Sequence, residues 1–157
     1  LGYATGGFSI SVTDYWFNGG PGYFHYGSHN TNHTFEAQIG YDFGPLALNW
    51  YTNFAGTDGV NNEGDRAYSS YISATVPFTL AGLEWTAEIG ATPWATDFYN
   101  YSEDPVCNGS NGFAVCDISL GAAKEIRITD SFSVPAFAKV TVNPRTEGAY
   151  FVFGLSF

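Results

Sequence analysis

Three histidines set four residues apart, His25, His29 and His33, are the first side chains whose type and spacing could do chemistry. On one face of a helix that spacing would suggest a zinc site. The Gly, Ser and Asn residues between them disfavour a helix, so the expectation is a polar external loop and no metal site. Residues 55 to 66 gather Asp58, Asn61, Asn62, Glu63 and Asp65, hard oxygen donors of the kind that hold Ca²⁺. The stretch does not match the EF-hand pattern, and loops rich in Asx and Gly form without metal, so Asp58, Glu63 and Asp65 are minor candidates. Cys107 and Cys116 flank Asn-Gly-Ser-Asn-Gly, and an even pair closing a short polar loop predicts a disulfide in an oxidising compartment. Hydrolysis would need a nucleophile, a histidine and a carboxylate together. His33 and Glu36 are close and serines are plentiful, but no compact arrangement stands out. The expectation is a protein with no catalytic residues and no cofactor.

Composition points to how such residues must be held. The 157 residues fit one domain, 1–157. Charged residues are 13 %, against about 25 % in soluble domains, while aromatics reach 18 %. No apolar run approaches the length of about 18 residues that a membrane-spanning helix needs. Few charges, many aromatics and no long hydrophobic segment together fit a transmembrane barrel, in which only alternate residues meet lipid. The net charge of −10, with only Arg66, Lys124, Arg127, Lys139 and Arg145 basic, excludes a nucleic-acid stripe. The acidic balance fits either a solvated surface or a cation-attracting lumen.

The positioning elements read as strands. In Gly148 to Phe157, Ala149, Phe151, Phe153, Leu155 and Phe157 alternate with Tyr150, Val152, Gly154 and Ser156, giving one wholly apolar face. Final strands of outer-membrane barrels commonly end on Phe. The same alternation runs through residues 8–17, 33–43, 46–54, 67–78, 83–93, 113–127 and 132–143. That makes eight strands in an all-β, antiparallel transmembrane barrel, each near the length of about 9–11 residues that crosses a bilayer. Cys116, Ile118, Leu120 and Ala122 are expected on the outward face.

Charge placement tests the pattern. Only Asp14 and Lys124 fall on the apolar faces, both near strand ends where a charge can reach the interface. The opposite faces carry Glu36, Gln38, Asp42, Asn49, Tyr51, Tyr71, Glu84, Glu88, Asp117, Glu125, Arg127 and Lys139. These are expected to line a lumen and to form ion pairs and hydrogen bonds there, since buried charge needs a partner. Short links (5–7, 44–45, 80–82, 129–131) alternate with longer ones (18–32, 55–66, 95–112, 144–147), so the long ones share one end. Barrels place their long loops outside the cell and their short turns in the periplasm, with the C-terminus periplasmic. Aromatics gather at both strand ends: Phe43, Phe78, Phe132 and Phe157 at one, and Trp16, Phe35, Phe54 and Tyr68 at the other. They read as the two interfacial girdles.

Leu1 to Ala4 read either as the tail of a strand descending into Thr5-Gly6-Gly7, with further strands upstream, or as a periplasmic tail. No signal peptide opens the sequence, so the chain is expected to be processed or to begin partway through the encoded protein.

Val12-Thr-Asp-Tyr-Trp16, His33-Thr-Phe-Glu-Ala37, Asn53-Phe-Ala-Gly-Thr-Asp58, Ala67-Tyr-Ser-Ser-Tyr71, Thr92-Pro-Trp-Ala-Thr-Asp97 and Phe151-Val-Phe-Gly154 resemble the TorF-type porin family of Bacteroides-like bacteria. The likeness runs over nearly the whole chain. It implies a secreted outer-membrane barrel somewhat longer than this sequence, of about ten to twelve strands, and it brings no catalytic residues. The functional expectation is a narrow porin or passive channel for small solutes. An accessory barrel that docks a larger outer-membrane complex is the alternative, and a soluble carbohydrate-binding sandwich is the remaining one. The expected surroundings are the lipid bilayer and lipopolysaccharide of a bacterial outer membrane.

Overall fold

The computed structural model describes residues 1–17, 20, 22–27, 30–99 and 112–155. Nine strands follow one another: β1 (Gly2–Thr5), β2 (Phe8–Trp16), β3 (His33–Asp42), β4 (Ala47–Gly56), β5 (Ser70–Leu80), β6 (Leu83–Thr92), β7 (Ala114–Thr129), β8 (Phe132–Asn143) and β9 (Gly148–Leu155). They form one antiparallel meander in chain order. β2 to β9 are the eight expected strands, with ends shifted by a few residues. The ninth, β1, pairs Gly2–Thr5 with Phe8–Ser11, so these first residues are a strand and not a loose tail.

Turn chemistry explains the tight end. Gly6 and Gly7 have φ of 54° and 87°, and Ala81 and Gly82 have φ of 54° and 72°. Two consecutive left-handed residues make a type I′ turn, whose twist matches that of the flanking strands. At the third link Asp42 accepts a hydrogen bond from the Gly44 amide at 2.7 Å, and Gly44 takes φ of 92°. Asp130 and Ser131 close the fourth between paired Thr129 and Phe132.

Three register shifts interrupt the ladders, and one of them corrects an expectation. Gly90 faces Asp117 while Ala91 faces Val115, so Cys116 is the extra residue of a bulge. Outward alternation before the bulge therefore passes to Phe113 and Val115. Cys116 is buried against the ladder, its thiol 3.9 Å from the Gly90 carbonyl. It is a free thiol among the described residues. Cys107 lies outside those residues, so the expected Cys107–Cys116 bridge is not part of the described structure. Phe157 also lies outside them.

Burial is inverted relative to a soluble domain. Among the described residues the buried apolar side chains are Ala67, Ala91, Cys116 and Val134, whereas His33, Thr34, Asn53, Ser69, Ser70, Thr92 and Thr96 are almost fully enclosed. Large apolar side chains stand open on one face: Ile39 and Ile89 are each 49 % exposed and Phe151 is 69 % exposed. An antiparallel sheet in water buries its apolar face against another layer. No second layer exists here among the described residues. The twisted sheet instead carries a shallow apolar groove of about 580 Å³ across Ile39, Leu48, Trp50, Ile72 and Ile89.

The sheet is also open edge to edge: among the described residues no ladder joins β9 to β1. Eight successive antiparallel pairings separate them, so β1 and β9 run in the same direction. Direct closure would therefore demand a parallel pair.

Candidate functional site

Ladder register puts all twelve expected polar residues on a single face, opposite Ile39, Trp50, Ile72 and Ile89. The structure brings only some of them together. Gln38 donates to Asn49 Oδ1 at 3.4 Å and to the Tyr51 hydroxyl at 3.3 Å, and accepts from Ser11 at 3.0 Å. Glu36 accepts from Tyr15 at 3.2 Å and from Tyr99 at 3.3 Å. Glu88 accepts from Tyr71 at 3.4 Å and from Thr75 at 3.3 Å. Tyr71 reaches Glu88 by lying over Gly90, where any Cβ would overlap its hydroxyl. Farther along, Ser119 donates to Asp117 at 2.6 Å and shares a hydrogen bond with Thr141 at 2.8 Å.

The expected ion pairs on this face do not form among the described residues. Arg127 pairs with Asp130 in the β7–β8 turn, and Asp42 is occupied by its own turn. Glu84 and Glu125 are exposed near the tight end. Lys139 enters no ion pair among the described residues. Basic residues are too few and too far along the strands, so neutral hydroxyls and amides take the carboxylates.

Two members of this cluster, Tyr15 and Tyr99, lie outside the sequence expectation. Tyr15 continues the polar alternation Ser9, Ser11, Thr13, a signal that was available. Tyr99 comes from the segment after β6, which folds back over the sheet, and no periodicity marks it. Its ring lies 5.8 Å from that of Tyr71. Burial, with Glu36 beside it, pushes the Tyr99 phenol above its usual range, so it remains a donor.

At the long-loop end, Asp58 organises the rim. Its side chain is 2 % exposed. It accepts from the Gly59 amide at 2.8 Å, the Ser69 amide at 3.1 Å and the Asn53 side chain at 3.2 Å, and faces Arg66 Nε at 3.6 Å. Its lone pairs are thus taken by the chain itself. Asn61 accepts from the Glu63 and Asp65 amides. No group of three metal-ligating side chains exists among the described residues. Of the minor calcium candidates, Asp58 serves loop structure with its carboxylate, whereas Glu63 and Asp65 contribute their backbone amides.

The charge out of place on the apolar face, Asp14, also finds its reason. His33 sits beside it on that face, Nδ1 to Asp14 Oδ1 at 2.8 Å and Nε2 to the Tyr23 carbonyl at 2.5 Å. Both partners are acceptors, so both ring nitrogens donate and the imidazole is the cation of an ion pair. Tyr26 stacks on the ring at 4.2 Å and Tyr23 meets it edge-on at 5.2 Å. No nitrogen is left to act as a base, and Glu36 lies on the opposite face, three residues along the strand. Of the histidines, His33 is thus structural, and His29 lies outside the described residues. Replacing His33 by Ala should leave Asp14 unpaired on the apolar face and lower the folded yield. The double variant Asp14→Leu with His33→Phe should recover it, read as the fraction of protein that migrates as folded on unboiled gels.

Phe43, Phe78 and Phe132 lie at the tight end and Trp16, Phe54 and Tyr68 at the other, all substantially exposed. Phe78 stacks on Trp85 at 6.1 Å, and half-buried Phe35 lies 6.3 Å from Phe54. A scan against protein-family models finds none that matches this chain, and comparison with curated proteins and with solved structures likewise gives no match.

Proposed function

We propose that this sheet belongs to an outer-membrane β-barrel of the TorF type, acting as a narrow passive pore for small solutes and not as an enzyme. Inverted burial carries the proposal: the enclosed side chains are polar and the open face is apolar. An environment that covers such a face without a protein layer is lipid, and closure would pair the two open edges as a bilayer requires. No helix of the described residues is long and apolar enough to cross a membrane, so strands would do the spanning.

Parity constrains the closure. Single-chain bacterial barrels have an even number of antiparallel strands. With β1 and β9 codirectional, an odd number of further strands must stand between them. The long loops would then face outward from the cell, and lipid with lipopolysaccharide would surround the wall. Tyr99 folded over the polar face favours a constricted lumen, and if nothing passes it, the accessory barrel docking a larger complex is the reading that remains.

The test is reconstitution of the full-length protein in planar bilayers. A small, steady conductance is expected, and Tyr99→Ala should raise it about twofold or more by opening the constriction. No current above background from protein that migrates as folded on unboiled gels would overturn the pore. Extraction without detergent would overturn the barrel.

A further inference from the structure

Among the described residues, Glu36 and Glu88 are carboxylates without a cation. From the described residues each takes hydrogen bonds only from hydroxyls, at 3.2–3.4 Å, long for bonds to a charged acceptor. No ion pair among the described residues includes either one. The chain has only five Lys and Arg to offer. Arg66 is held at Asp58 and Arg127 at Asp130, Lys124 lies on the opposite face, and Lys139, on the same face two strands beyond Glu88, enters no ion pair among the described residues.

Between the two carboxylates lies a cavity of about 290 Å³ walled by Tyr15, Tyr51, Tyr71 and Tyr99. The rings of Tyr51, Tyr71 and Tyr99 follow one another at 6.0 and 5.8 Å, tilted by 47° and 43°. Aromatic faces attract cations, and more strongly where water is thinned. A carboxylate on either side and a row of aromatic rings between them complement positive charge spread over carbon. An anion would be repelled. A bare divalent metal would want six or more oxygen ligands close by, and no group of three ligating carboxylates, histidines or cysteines exists among the described residues.

We propose that this cavity binds small organic cations of the alkylammonium class, which makes it the selectivity site of the pore. The inference rests on the polar face being enclosed as proposed above.

The test uses the full-length protein in detergent micelles, titrated calorimetrically with tetramethylammonium chloride against sodium chloride at equal ionic strength. Saturable one-to-one binding is expected, weakened about tenfold by Glu36→Gln and by Glu88→Gln. Tyr71→Phe, which keeps the ring, should bind nearly as the parent does. Unboiled gel mobility confirms that each variant is folded. Absence of saturable binding, or binding unchanged in both Gln variants, overturns the site. Planar-bilayer recordings separate this from the pore itself: binding without conductance keeps the site and removes the pore, whereas conductance without binding or cation preference does the reverse.

Discussion

If lipid covers the apolar face as proposed, Ile89→Arg should lower the stability of the protein in lipid by about 2–4 kcal/mol, the penalty for an arginine facing mid-bilayer hydrocarbon. Ile89 lies near the middle of β6, paired with Ala74 on one side and Ile118 on the other, and is half exposed on the apolar face. Thr86→Arg, three residues earlier on the same strand, turns its new charge to the polar face and should change stability by no more than about 1 kcal/mol. Urea-dependent folding into phosphatidylcholine vesicles, followed by tryptophan fluorescence, measures both. In water an exposed Ile→Arg change is worth within about 0.5 kcal/mol. The contrast between the two variants therefore asks directly what covers the apolar face. Equal, small effects would mean that lipid does not.

The strands were legible because each alternates on its own. Phe35, Ala37 and Ile39 against Glu36 and Gln38 needs no knowledge of any neighbour, and cross-strand register then aligns one alternating face with the next. Features that depend on an extra residue or on distant partners were not legible. Nothing in Val115-Cys116-Asp117 announces the bulge, because only the pairing with Gly90 and Ala91 shows that one residue is surplus. In the sequence Asp14 is an interfacial exception, and its partner His33 lies nineteen residues on, where no local pattern links the two. Alternation places Tyr68 in a strand, yet its φ of 48° turns the chain just before β5 and brings Ser69 to Asp58. The polar cluster was half visible. Glu36, Gln38, Tyr51, Tyr71 and Glu88 follow from alternation alone, whereas Tyr99 arrives from a loop whose path no periodic pattern encodes.

The rim around Asp58 gives the second large effect. Asp58→Ala should destabilise the protein by about 3 kcal/mol, because it strips partners from several enclosed donors at once. The Ser69 amide and the Asn53 side chain lose their acceptor, and both residues are almost fully buried. Among the described residues Arg66 loses its only countercharge, while Nε and Nη2 already lack a hydrogen-bond partner there. Asp58→Asn keeps one carbonyl oxygen for the amides but turns an NH₂ towards the guanidinium, so an intermediate loss is expected. Arg66→Ala should cost less, about 1 kcal/mol, since its side chain is 32 % exposed and water can replace part of what it gives. Urea unfolding in vesicles ranks the three variants, and limited proteolysis localises the damage. Residues 57–69 should become cleavable in Asp58→Ala while the tight turns at the other end stay protected, because the β4–β5 link hangs on this carboxylate whereas the turns hold through their own backbone. If Asp58→Ala and Arg66→Ala proved equally mild, the carboxylate would be a solvated loop residue, and the rim would draw its order from the Ser69–Thr96 and Trp94–Ala67 contacts instead.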